Sequence, residues 1–180
     1  MIRKLRNEDV EAVMDIWLYG NIQAHWFICA DYWHKNYEYV RRAVKKAEVW
    51  VYETDGVIAG FIGLNDDYIA GIFVEYEYRS KGIGKELIDF AKMNRMRLSL
   101  DVYEKNNRAV DFYKREGFIT VNKRPDKDFG ERELLMEWHK CKKPLIIPLK
   151  NGFAFYAKPF FYTLAFLKIS SDFNSLIFKK

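Results

Sequence analysis

Two cysteines in 180 residues, Cys29 and Cys141, are too few and too far apart to make a disulfide framework, so a reduced, cytoplasmic protein is expected. The three histidines, His25, His34 and His139, do not fall at metal-ligand spacing, and no metal site is expected. A secretory leader is excluded at the start of the chain, where Arg3, Lys4, Arg6, Glu8 and Asp9 interrupt any apolar run. A membrane span is excluded at the other end, because Lys150, Lys158, Pro159 and Lys168 cut the apolar tail into short pieces.

Charge is unevenly spread. The chain carries a formal +5, yet residues 140–180 hold eight lysines against one aspartate, which leaves 22 basic and 24 acidic side chains in residues 1–139. A nucleic-acid partner would want a basic face on the folded body, and the body is slightly acidic. Length and composition otherwise describe one domain with a proper core, spanning residues 1–139, followed by a basic, aromatic-rich extension over 140–180 with no catalytic part assigned.

The informative stretch is 69–90, IAGIFVEYEYRSKGIGKELIDF. Ile69, Ile72, Phe73 and Val74 read as a buried strand, and from Gly84 onward Leu87, Ile88 and Ala91 recur at helical spacing. Between them, Arg79-Ser80-Lys81-Gly82-Ile83-Gly84 turns the strand into a helix N-terminus, where unpaired N–H groups and the helix dipole favour a phosphate or pyrophosphate. A Walker A loop is excluded, since Arg79 and Glu86 stand where that motif needs glycine and Ser or Thr. The dinucleotide fingerprint fails as well, at Leu87.

The surviving pattern, R-x-x-G-x-G, is matched by a second segment, VYEKNNRAVDFYKREGF at 102–118, carrying Asn106, Ala109, Phe112, Tyr113, Gly117 and Phe118. In that order the two resemble the paired motifs of the Gcn5-related N-acetyltransferases (GNAT), and over residues 1–139 the chain is most similar to YiaC-type bacterial protein N-acetyltransferases. Periodicity gives the matching α/β element order, β-α-α-β-β-β-α-β-α-β-β, a mixed sheet. Asn7 is expected to cap the first helix, and Asp55-Gly56 marks a tight hairpin. A parallel pairing of strand 68–75 with strand 98–103 follows from a right-handed crossover.

The resemblance implies transfer of an acetyl group from acetyl-CoA to an amine. No Cys–His or Ser–His–Asp arrangement competes, which agrees with direct attack. It further implies coenzyme binding by Arg79, Ser80, Lys81, Gly82, Ile83 and Gly84, by the strand at Ile72, Phe73 and Val74, and by Asn106 and Ala109. For Asn106 a helix-cap role stands equally. Tyr113 is the candidate general acid, with Phe112 expected to be the better core residue of the two. Where some relatives carry a glutamate base, this chain has Tyr68, preceded by Asp66 and Asp67, so the base is left open between Asp67 or Glu104 reached through water and no fixed carboxylate at all, with Tyr68 the candidate for placing the acceptor. His25, Phe27, Tyr32 and Trp33 are expected to border the acceptor groove or to seal the core. The acceptor is a protein amine or a small molecule, the alternative is a coenzyme-binding module without turnover, and the assembly is a monomer or homodimer.

Overall fold

The computed structural model describes residues 1–140; the extension lies outside the described residues. Eleven elements follow the expected order: β1 Ile2–Lys4, α1 Val10–Ala24, α2 Ala30–Val44, β2 Glu48–Thr54, β3 Val57–Asn65, β4 Tyr68–Val74, α3 Ile83–Met93, β5 Arg97–Tyr103, α4 Asn107–Arg115, β6 Ile119–Pro125 and β7 Arg132–His139. They build one seven-stranded mixed sheet in the order β1-β2-β3-β4-β5-β7-β6.

The helices cover both faces of the sheet. On one side α1 and α2 bury Val13, Trp17, Trp33 and Val40 against Val49, Val51 and Phe61. On the other, α3 and α4 set Leu87, Ile88 and Val110 against Ile62, Leu98 and Leu100. Each face removes a continuous apolar layer from water, which is the main favourable contribution to folding.

The Asp55-Gly56 hairpin forms as its sequence predicts, with both residues at positive φ, 50° and 75°. Asn7 does not cap α1. Asn7–Asp9 instead form one turn of 3-10 helix. Asp9 closes it by accepting from the Arg6 N–H at 2.7 Å while Arg3 grips the carboxylate at 2.6 and 2.9 Å.

The centre of the sheet positions the site. β4 and β5 run parallel, yet among the described residues a single register pair joins them, Tyr68 with Ser99. The β3–β4 register slips between Gly63 and Leu64, which leaves Ala70 as an extra residue on β4. A bulge bends its strand and raises its twist, and this one sits where β4 leaves β5. From Ile69 onward β4 is bonded to β3 on one edge only, so the backbone groups on its other edge face an opening.

Candidate active site

A cavity of about 690 Å³ fills that opening. Its floor is β4 from Ile69 to Val74 on one side and Asp101, Val102 and Tyr103 of β5 on the other. It therefore passes through the sheet, from the α3/α4 side to the α1/α2 side.

On the α3/α4 side, the turn from Arg79 to Gly84 borders the cavity at Arg79, Ser80, Gly82, Ile83 and Gly84. Gly82 is the N-cap of α3 at φ 88°, a left-handed conformation that a side chain would strain, and Ser80 already stands at φ 63°. No side chain caps the helix, and its first internal bond runs from the Glu86 N–H to the Gly82 carbonyl at 3.0 Å. The N–H groups of the preceding turn are thus presented together with the positive end of the dipole.

Cationic side chains gather at this mouth. Arg79 donates from Nε to the Val74 carbonyl at 2.9 Å, which ties the turn to the end of β4 and leaves the rest of the guanidinium at the cavity. Burial, and then the neighbouring Arg108, hold its pKa below the ordinary value, so two cations converge where an anion would relieve both. Arg108 and Lys85 line the same wall and were not singled out from the sequence. The available signal was the place of Arg108 in the first turn of α4, two residues after Asn106. Lys81 is a different case: its ammonium lies 5.0 Å from the Tyr78 ring and does not border the cavity.

Asn106 caps α4, its side-chain oxygen accepting from the Ala109 N–H at 3.2 Å, and both residues line the cavity. The expected division between Phe112 and Tyr113 is reversed in part. Tyr113 is the buried one, 6% exposed within the α3/α4 core, whereas Phe112 is partly buried and packs beside Gly84, where a Cβ would stand 3.4 Å from its ring. The helix turn inserts Tyr113 under the sheet because Phe118 and Phe112 flank its ring edge-on at 5.6 and 5.3 Å. Even so Tyr113 borders the cavity, and no described residue hydrogen-bonds its hydroxyl. Burial pushes this phenol above its ordinary pKa, so it stays protonated at neutral pH.

Tyr68 lies outside the cavity lining. Its hydroxyl donates to Asp101 Oδ2 at 3.2 Å, and burial, with Asp101 second, raises its pKa. It braces β5 from behind the opening.

The α1/α2 side is aromatic and acidic. Gly20 lets α1 lie against β4, since a Cβ there would come within 2.8 Å of the Phe73 ring, and this contact carries the C-terminal turn of α1 to the cavity. His25 and Trp26 border it, Trp26 being 75% exposed. Trp33 is stacked 5.3 Å from the His25 ring, with Phe27 edge-on to both His25 and Tyr103, while Tyr32 packs on Trp33; these three build the wall without lining the cavity. Asp101, Tyr103 and Glu133 complete the inner end. No group of three metal-ligating side chains occurs among the described residues, and no helix there is long and apolar enough to cross a membrane.

A mixed sheet parted at its centre, with an uncapped, basic helix N-terminus on one side of the gap, is the frame of an acyl-transferring domain. The comparisons agree. Residues 45–120 match the Acetyltransferase (GNAT) domain. The chain is 35% identical over 124 residues to the peptidyl-lysine N-acetyltransferase YiaC of Escherichia coli, spanning 68% of this chain and 85% of that one. It is 30% identical over 132 residues to the peptidyl-lysine N-acetyltransferase YjaB of the same organism, 72% and 89% of the two chains. The solution structure of apo YjaB superposes with a TM-score of 0.69 at 27% identity, covering 76% of this chain and 95% of that one. The chain belongs to the GNAT family and is an acetyltransferase.

Proposed function

We propose that the protein transfers the acetyl group of acetyl-CoA to the side-chain amine of lysine in protein substrates. The observation that carries this reading is a cavity open on both faces of the sheet, basic with bare N–H groups on one face, acidic and aromatic on the other. A pyrophosphate fits the first face, where the turn before α3 supplies amides and Arg79, Arg108 and Lys85 supply charge. An amide-bearing pantetheine arm fits the gap, because the free edge of β4 at Ile72, Phe73 and Val74 offers the hydrogen bonds of a missing strand. A long cationic side chain fits the second face, between aromatic walls and buried carboxylates. The names of the two curated relatives, both peptidyl-lysine N-acetyltransferases, support the same acceptor.

In this reading the amine attacks the thioester carbonyl directly. Backbone N–H groups of β4 stabilise the oxygen as charge develops, and Tyr113 donates its proton to the departing thiolate. The test is an acceptor screen with acetyl-CoA, following free thiol against lysine peptides, polyamines, amino acids and buffer. Turnover with lysine peptides above every small amine supports the reading. Turnover with small amines alone, or coenzyme binding with no turnover at all, overturns it.

A further inference from the structure

With the pyrophosphate on the α3/α4 face, an acceptor side chain has to enter the cavity from the α1/α2 side. Burial locates that entrance. Of the described lining residues on this side, Gln23, Trp26 and Lys105 are exposed, whereas those deeper in, such as His25, Tyr103 and Glu133, are buried or half-buried. The mouth is therefore rimmed by the C-terminal end of α1 and by Lys105, just after β5.

The Lys105 rim is fixed and its charge is paired. The ammonium donates to Glu131 Oε1 at 2.7 Å and lies 5.3 Å from the centre of the Phe27 ring. Glu131 sits in the turn between β6 and β7, which the buried Asp126 organises. Its Oδ1 accepts from the N–H groups of Phe129 and Glu131, both at 3.0 Å, and its Oδ2 accepts from the Tyr103 hydroxyl at 3.1 Å. Phe129 in turn meets Tyr32 of α2 edge-on at 4.9 Å. The turn is thus clasped to both β5 and α2, and Lys105 is anchored through it.

Trp26, on the other rim, is presented outward. The Ile28 N–H donates to the His25 carbonyl at 2.8 Å, and in this tight turn Phe27 packs onto the α1/α2 core while Trp26 stays 75% exposed. The other four tryptophans, Trp17, Trp33, Trp50 and Trp138, are buried or half-buried. An exposed aromatic elsewhere on a surface would need no explanation, but this one borders the cavity at its mouth. A lysine whose methylene stem fills the channel keeps its own backbone at the mouth, so its sequence neighbours lie against the rim. There they meet an indole, a rigid apolar surface of the kind on which peptide contacts concentrate.

We propose that Trp26 is the residue that selects peptide over small-amine acceptors, its indole packing on the residues that flank the acceptor lysine. The inference rests on the lysine reading above and deepens it. The contact lies outside the reacting centre and is the same in ground state and transition state, so it acts on KM and not on kcat.

The test compares two acceptors with the same side chain in the full chain: a lysine peptide with several residues on each side, and lysine blocked as its N-acetyl methylamide, which has no neighbours. Trp26→Ala should raise KM for the peptide ~10-fold or more, with kcat within about twofold of wild type. For the blocked lysine both constants should stay within about twofold of wild type, and acetyl-CoA affinity by calorimetry should be unaltered. Trp26→Phe, which keeps a smaller ring, should fall between. Trp26→Gln decides the matter in the same way if the alanine variant fails to fold. An equal rise in KM for both acceptors, a fall in kcat at unchanged KM, or wild-type constants for the peptide would overturn the proposal. So would a wild type that uses the blocked lysine as efficiently as the peptide. A wild type that binds acetyl-CoA yet acetylates neither acceptor would overturn the reading beneath it.

Discussion

Tyr68 and Ser99 form the single register pair between β4 and β5 among the described residues, and the cavity begins at the very next residue of β4, Ile69. The opening of the sheet, the free edge of β4 and the route between the two faces all follow from where that pairing stops. Tyr68 holds the closed end by its hydroxyl on Asp101.

Tyr68 is accordingly expected to be structural. Removing its hydroxyl in Tyr68→Phe leaves a carboxylate short of one donor, which should cost ~1–3 kcal/mol of stability in a denaturant titration. kcat should change by less than about tenfold, well short of the loss of a general acid or base. A larger fall in kcat with unaltered stability would return Tyr68 to the reacting centre.

Tyr113→Phe should do the opposite. The substitution removes one hydroxyl and almost no volume, so folding and acetyl-CoA affinity should persist while kcat drops ~10²–10⁴-fold. Because burial raises this phenol above its ordinary value, the wild-type profile should show no alkaline limb from Tyr113 below about pH 10. An unchanged kcat at saturation removes the residue from the mechanism.

Gly82→Val tests the turn before α3. At φ 88° a β-branched side chain costs on the order of 1–3 kcal/mol, so stability should fall measurably as acetyl-CoA affinity is lost. Calorimetric titration of the folded variant gives the answer, and wild-type affinity would dismiss the phosphate assignment.

His25 makes stability pH-dependent with a definite sign. Its pKa is about 4 when folded and 6.5 in the ordinary state, so the unfolded chain binds the extra proton between these values. The contribution is fully present above pH 6.5 and is lost as pH falls toward 4, on the order of 3 kcal/mol in total. His25→Phe should flatten the fall in melting temperature between about pH 6.5 and 4.5. A fall as steep as the wild type's would mean that His25 is already charged in the folded protein.

Truncation after Lys140 should preserve acetyl transfer. Every described residue bordering the cavity precedes it, and Lys140, just after β7, has its own anchors, its N–H on the Met96 carbonyl at 2.8 Å and Nζ on the Met93 carbonyl at 3.1 Å. Loss of folding in the shortened chain would make residues 141–180 part of the domain.

The element order and the turn before α3 were legible because they depend on local signals: apolar periodicity, Asp55-Gly56, Gly82 and the Asn106 cap. The acceptor end was not, because it is assembled by register. Glu133 becomes a neighbour of Tyr103 only through the β5–β7 pairing, and Asp101 meets Arg124 only because β6 lies beside β7. Nor could spacing decide between Phe112 and Tyr113. Helix geometry says that adjacent residues diverge, but it takes Phe118, beyond the end of α4, to draw Tyr113 into the core. The start of α1 escapes local signals for a similar reason, since Asp9 gains a bidentate partner in Arg3 that Asn7 could not match.

The most direct measurement is tandem mass spectrometry of a peptide that carries one lysine and a free N-terminus, after incubation with the full-length protein and acetyl-CoA. The account predicts a single acetyl group on the lysine Nζ, matched mole for mole by free thiol and absent with Tyr113→Phe at equal times. An acetyl group on the α-amine alone, or thiol release without any modified peptide, would contradict it.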